Sequence, residues 1–209
     1  MRCSPRVALC LVALALALPA GAGASPLDDA LARIEAARAG VRALRADFVQ
    51  EKVVSLFAET VRSTGKLVVR RPDRLRWQVL APDESLFVIA GPSVRYRLPG
   101  ARGNVDVRTA GALGAVLRDL VAFLAGPLGE VRGRYRLALA EGNPVVLVAT
   151  PTSRDVARSV RTMRLRFSRD LRVLDGVVLE EPGGDRADIR FTNVRINPQV
   201  PDSAFTLRE

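Results

Sequence analysis

The segment KLVVRRPDRLRWQV, residues 66–79, contains the clearest indication of the fold. In its second half Leu75, Trp77 and Val79 alternate with arginine and glutamine, which is the period-two pattern of a strand with one apolar face. The Pro-Asp pair that precedes this half predicts a turn. The segment therefore predicts an antiparallel hairpin with an apolar face and a cationic face.

The same alternation recurs along most of the chain. Gly, Pro and Asn clusters separate the apolar and arginine-rich segments, as expected for turns between antiparallel strands. Many short strands with one apolar face predict a single large antiparallel sheet. The further candidate strands are Glu59 to Arg71, Ser85 to Ala90, Ser93 to Leu98, Arg134 to Leu139, Val145 to Pro151, Thr162 to Phe167, Val173 to Glu180 and Ile189 to Thr192.

Two segments have helical rather than strand periodicity. Ser25 can cap a first helix in which Leu27, Leu31 and Ile34 share one face, and Gly40 interrupts it. The second segment, Ala110 to Leu124, has an apolar stripe formed by Leu113, Leu117, Leu120 and Leu124. The chain therefore predicts one mainly β domain over residues 25–209, with two apolar helices that cover the concave side of a curled sheet.

Residues 1–24 have the layout of a secretory signal peptide. Arg2 and Arg6 precede an apolar run from Val7 to Leu18, and small residues around Ala24 fit a cleavage site. A membrane-spanning helix needs about 20 apolar residues, which this run does not reach. We expect export and cleavage near Ala24, and an uncleaved membrane anchor is the alternative.

The composition argues against most catalytic chemistry. The chain has no histidine, and both of its cysteines, Cys3 and Cys10, fall in the predicted signal peptide. A Ser-His-Asp triad, a cysteine nucleophile and a His or Cys metal site are therefore ruled out for the mature chain. The adjacent carboxylates Glu180-Glu181 and Asp83-Glu84 are interpreted as turn or surface charges. A Ser-Lys dyad that uses Lys52 or Lys66 is the alternative that stays open, although no motif supports it. We expect no catalytic residue, no metal ligand and no cofactor.

The net charge of +10 raises the question of an acidic partner. Nucleic acid is disfavoured because the chain is predicted to be exported and no arginine cluster alternates with aromatic residues. A solvated arginine-rich outer face is the simplest interpretation, and a role at a membrane surface is the other.

A series of short motifs resembles the periplasmic outer-membrane lipoprotein carrier family (LolA-like), from about Leu27 to Leu207. The motifs are Phe48-Val49-Gln50-Glu51-Lys52, Ser63-Thr64-Gly65-Lys66-Leu67, Arg71-Pro72-Asp73-Arg74-Leu75-Arg76-Trp77, Pro82-Asp83-Glu84-Ser85-Leu86, Phe191-Thr192-Asn193-Val194 and Asp202-Ser203-Ala204-Phe205-Thr206. The resemblance implies an unclosed, strongly curved antiparallel β-barrel (a half-barrel) with helices as a lid. It also implies a monomer that takes acylated lipoproteins from an inner-membrane ABC transporter and passes them to an outer-membrane receptor, without a cofactor.

The resemblance and the strand pattern together predict a lipid-binding site. Strand parity places Arg71 on the apolar face with Leu67 and Val69. In the family that this chain resembles, the equivalent arginine bonds the backbone of the lid, so the resemblance implies that Arg71 is the lid latch. The alternative is that Arg71 ends a strand and reaches solvent. The same half-barrel could carry or sense another lipid or glycolipid, and a hydrolase would need a polar cluster in the cavity. The predicted cavity residues are Phe48, Leu67, Val69, Leu75, Trp77, Val79, Leu117, Leu120, Leu124, Met163, Leu165 and Phe167.

Overall fold

The computed structural model describes residues 25–57, 59–106 and 119–207. The predicted signal peptide and Leu117 lie outside these residues. Helix α1 spans Pro26–Arg38, and its first turn is capped because the Ser25 hydroxyl accepts a hydrogen bond from the Asp28 backbone N–H at 3.1 Å. The apolar face predicted for this helix is confirmed, since Leu31 and Ile34 are buried.

Eleven strands within the described residues form one antiparallel sheet. Their order across the sheet is β6-β5-β4-β3-β2-β1-β11-β10-β9-β8-β7, so neighbours in the sheet are mostly neighbours in sequence. The strands are β1 Ala43–Val54, β2 Glu59–Arg70, β3 Arg74–Ala81, β4 Ser85–Ala90, β5 Ser93–Leu98, β6 Ala101–Asp106, β7 Tyr135–Gly142, β8 Val145–Pro151, β9 Thr162–Phe167, β10 Leu174–Glu180 and β11 Arg186–Ile196.

The sheet is curled but not closed. The pairing register shifts in several strands, including between Arg45 and Asp47 in β1 and between Leu174 and Gly176 in β10, and such bulges bend and twist a strand. Val94 of β5 and Leu137 of β7 share one buried core with central β1, although they lie near opposite edges of the sheet. The edge strands β6 and β7 are not paired with each other, so the predicted half-barrel is confirmed.

Helix α2, residues 119–125, lies against the concave face of this sheet. It confirms the C-terminal part of the helix predicted over Ala110 to Leu124, and the rest of that prediction falls outside the described residues. The short elements were not predicted: strand β6, helix α3 (Arg154–Ala157), and two 3-10 turns, Leu128–Val131 and Asp202–Phe205.

The convex face of the sheet carries the C-terminal tail. Phe205 is buried against Leu86 and Val88, in a small core separate from the concave one. Arginines of β2, β3 and β5 donate hydrogen bonds to the backbone carbonyl groups of the tail, with Arg70 bonded to Val200, Arg76 to Ala204 and Thr206, and Arg95 to Phe205. The outer arginine face expected to be solvated therefore holds the tail in part.

Candidate functional site

The concave face presents one continuous apolar cluster. All eleven predicted cavity residues that the structure describes belong to it, either fully buried or packed against it. Strand alternation explains this, because residues two apart on a strand face the same side of the sheet. Leu67, Val69, Leu75, Leu165 and Phe167 are each at most 2% exposed.

An aromatic group occupies the centre of the cluster. The rings of Phe48 and Trp77 are 4.4 Å apart between centroids, and Trp77 meets Phe191 edge-on at 6.4 Å. Phe48 can lie flat on β2 because its cross-strand partner is Gly65, where an added Cβ would meet the Phe48 ring at 2.3 Å. Trp77 is only half-buried, and its role in lining a lipid cavity stays a prediction.

Helix α2 closes over the cluster with its apolar side. Phe123 and Leu124 are buried, and the Phe123 ring meets the Tyr135 ring of β7 edge-on at 5.1 Å. Buried Asp119 anchors the start of the described helix through an ion pair with Arg134 at 2.6 Å. Burial raises the pKa of Tyr135, and the nearby Asp119 carboxylate adds to this shift.

Open space remains between α2 and the sheet. A cavity of about 360 Å³ is bordered by Ile89 and Gly91 at the end of β4, by Val121 and Ala122 of α2, and by Arg134. This volume is within the range of about 300–1,000 Å³ that is usual for small-ligand pockets. Pro72 and Asp73, in the turn between β2 and β3, also border the cavity, next in sequence to the predicted latch Arg71.

Arg71 lies at this turn and is only partly exposed. Its guanidinium donates a hydrogen bond to the carbonyl oxygen of Val41 at 3.1 Å, and its backbone N–H bonds the Arg42 carbonyl at 2.9 Å. Arg71 thus connects β2 with the segment between α1 and β1. Its role as the lid latch stays a prediction.

Arg38, at the end of α1, is a buried charged residue of this region that sequence reasoning missed. It is 3% exposed, and its Nη2 donates to the carbonyl oxygen of Phe123 in α2 at 2.9 Å. Burial, with a smaller contribution from the charge of Arg71, lowers the pKa of Arg38 to about 10. The sequence held a signal, because the stripe of Leu31 and Ile34 continues to Arg38 four residues later.

The adjacent carboxylates Glu180 and Glu181 have separate partners. Glu180 accepts hydrogen bonds from Arg161 and Thr162, whereas its neighbour Glu181 pairs with Lys52, so the two carboxylates are engaged separately. Among the described residues, no three His, Cys, Asp or Glu side chains are grouped to hold a metal ion.

Within that part of the chain, no helix is both long and apolar enough to cross a membrane.

An open antiparallel half-barrel whose apolar concave face lies under two helices defines the class of this protein. The family described as "Outer membrane lipoprotein carrier protein LolA" matches residues 39–208. The chain therefore belongs to this family.

Individual relatives agree with the family match. The chain is 26% identical over 200 residues to an outer-membrane lipoprotein carrier protein of Pseudomonas putida (strain W619), covering 95% of this chain and 89% of the relative. It is 30% identical over 167 residues to the protein of that name from Dechloromonas aromatica (strain RCB), covering 78% and 76%.

A solved structure shares the fold at low sequence identity. An uncharacterized conserved protein from Thermus thermophilus superposes with a TM-score of 0.53 at 11% identity, covering 88% of this chain and 94% of that one. This likeness concerns the fold alone.

Proposed function

We propose that this protein binds the acyl chains of lipoproteins on the concave side of its half-barrel and carries them from the inner to the outer membrane. The observation that supports this most is the single apolar cluster under α1 and α2, which unites the eleven described residues predicted to line an acyl cavity. Membership of the lipoprotein carrier family supports acylated lipoproteins as the class of cargo.

The energetics favour a covered but movable site. Exposing an acyl chain to water costs about 0.8 kcal/mol per methylene group, so a carrier must cover most of the chain during transfer. In the structure, α2 side chains such as Phe123 and Leu124 are buried against the concave face. We infer that cargo displaces α2, and that the lost helix contacts offset part of the binding free energy, which makes release possible.

The proposed setting follows from the same reasoning. The chain works in the periplasm after removal of residues 1–24, receives cargo from an inner-membrane ABC transporter and delivers it to an outer-membrane receptor. It acts as a single 25–209 domain and a monomer, and it performs no catalysis.

Native mass spectrometry of the mature protein, purified without detergent from its own periplasm, tests the proposal. We expect adducts with the masses of triacylated lipoproteins. Adducts of phospholipid or glycolipid alone would move the function to another lipid pathway, and a ligand-free protein that also resists loading with lipoprotein would contradict the proposal.

A matched pair of variants locates the site in the same experiment. Leu120→Lys places a charge on the half-buried side of α2, whereas Leu56→Lys makes the same change at a side chain that is 82% exposed on the turn after β1. We expect Leu120→Lys to lose the lipid adducts and Leu56→Lys to keep them. Equal loading of both variants would place the lipid elsewhere.

A further inference from the structure

The Arg38 guanidinium is a buried cation with unused hydrogen-bond donors. Its Nη2 bonds the Phe123 carbonyl, but its Nε and Nη1 are buried and find no hydrogen-bond partner in the part of the chain that the structure describes. A buried donor without an acceptor costs about 1–3 kcal/mol, and more when it is charged. Such a cost is unusual for a residue whose only task is to end a helix.

The surroundings of Arg38 form a small pocket of mixed charged and apolar lining beside the apolar cluster. Arg38 and Arg71 both line this space of about 130 Å³, together with Ile34 and with Gly126 at the end of α2. On its other side the Arg38 guanidinium lies over the ring of Phe167, 5.8 Å from the centroid. Arg38 therefore lies between this pocket and Phe167, one of the predicted acyl-lining residues.

The charge of the pocket is unbalanced. It contains two guanidinium groups, and its lining carboxylate, Glu35, accepts a hydrogen bond from the Gly129 backbone N–H at 3.1 Å. Within the described residues, no carboxylate forms a salt bridge with Arg38 or Arg71. A ligand oxygen would therefore satisfy donors that the protein leaves unpaired.

We propose that Arg38 and Arg71 form a receptor for the oxygen acceptors of a lipid head, at the point where its acyl chains are attached. This inference rests on the proposed function, because it assumes that acyl chains occupy the adjoining cluster. The pocket has room for about four water molecules at roughly 30 Å³ each, which suits an ester, amide or phosphate group rather than a chain. The protein thereby distinguishes acylated heads from plain hydrocarbon.

The two sources of such oxygens are acylated lipoproteins and phospholipids. The test measures binding of a synthetic triacylated lipopeptide, of phosphatidylglycerol and of the pure hydrocarbon diphenylhexatriene, using the emission of Trp77, the single tryptophan. Arg38→Met removes the donors while keeping an unbranched apolar side chain of similar length. Arg33→Met is the matched control, because Arg33 lies exposed on the same helix.

We expect Arg38→Met to weaken binding of at least one oxygen-bearing lipid about 10- to 100-fold, the range for losing a hydrogen bond to a charged group. Diphenylhexatriene should bind within about twofold of wild type, which controls for the lost bond to α2. An equal change for all three ligands, no change, or a wild-type protein that binds neither oxygen-bearing lipid would overturn the inference. If the wild-type protein does not bind the lipopeptide, and Arg38→Met weakens binding of phosphatidylglycerol alone, the head-group receptor stands and only the lipoprotein cargo is refuted.

Discussion

Replacing Phe205 by alanine tests whether the C-terminal tail is part of the folded domain. Phe205 is 1% exposed although it is close to the end of the chain, and it covers Leu86 and Val88 on the convex face. The guanidinium groups of Arg70 and Arg74 lie over its ring at 5.2 and 5.8 Å from the centroid. The substitution removes the apolar contact and both cation–π contacts together.

The structure gives the size of the expected effect. Burial as complete as that of Phe205 places the substitution in the range of about 3–5 kcal/mol that is usual for Phe→Ala in a core. The backbone carbonyl groups bonded to Arg70, Arg76 and Arg95 should then return to water with little further cost, because water can replace those partners. We expect the free energy of unfolding to fall by about 3–5 kcal/mol.

Urea denaturation of the mature protein measures this change. With a slope of about 2 kcal/mol/M, the midpoint should fall by roughly 1.5–2.5 M. Phe57→Ala is the matched control, since Phe57 is 71% exposed and its loss should change stability by no more than about 0.5 kcal/mol. A Phe205→Ala effect below about 1 kcal/mol would refute the reasoning and mean that the tail does not dock on the sheet in solution.

Three further predictions concern the concave face and the charges. Arg71→Leu removes the hydrogen bond to Val41, so we expect faster release of bound lipid in a stopped-flow transfer assay, and unchanged delivery would reject the latch. Gly65→Ala brings a Cβ to 2.2 Å from the Gln78 carbonyl oxygen, so we expect a lower thermal midpoint and a loss of about 1–3 kcal/mol, whereas Gly133→Ala, with open space around it, should have little effect. Hydrogen bonds and nearby cations lower the pKa values of several carboxyl groups in the folded state, so on acidification the unfolded chain binds protons before the folded chain does. The free energy of unfolding, measured by urea titration, should therefore be level from about pH 5 to 8, where no histidine titrates, and should fall below about pH 4. A stability that rises on acidification would contradict the last prediction, which rests on Asp28, Asp170, Glu180, Asp185 and Asp202.

Strand alternation made most of the sheet predictable from the sequence. Ser85–Ala90, Ser93–Leu98, Val145–Pro151 and Thr162–Phe167 are strands with the predicted bounds, because local periodicity and turn residues determine them. Strand β6 was missed because the non-polar positions of its sequence, ARGNVD, are mostly small residues, Ala101 and Gly103, which give a weak alternation signal. The segment forms a strand by pairing with β5.

The polar part of the site was less predictable, because its partners are distant in the sequence. Arg38 meets Phe123 across 85 residues, and the Asp119–Arg134 pair joins α2 to the segment before β7. A basic residue in the last turn of a helix is ordinarily explained by the helix dipole, which conceals the burial of Arg38. Periodicity could place Arg38 on the buried stripe, but only the tertiary structure shows that its side chain borders a pocket and leaves donors unpaired among the described residues.

The unpaired edges of the sheet have a mechanical consequence. Strands β6 and β7 are consecutive among the described strands yet lie at opposite ends of the strand order, and α2 belongs to the part of the chain between them. The gap between the edges can therefore widen without breaking a ladder hydrogen bond, at the expense of side-chain contacts to α2. An open sheet of this kind can change its width to fit ligands of different size, while the hydrogen bonds between its eleven strands stay intact.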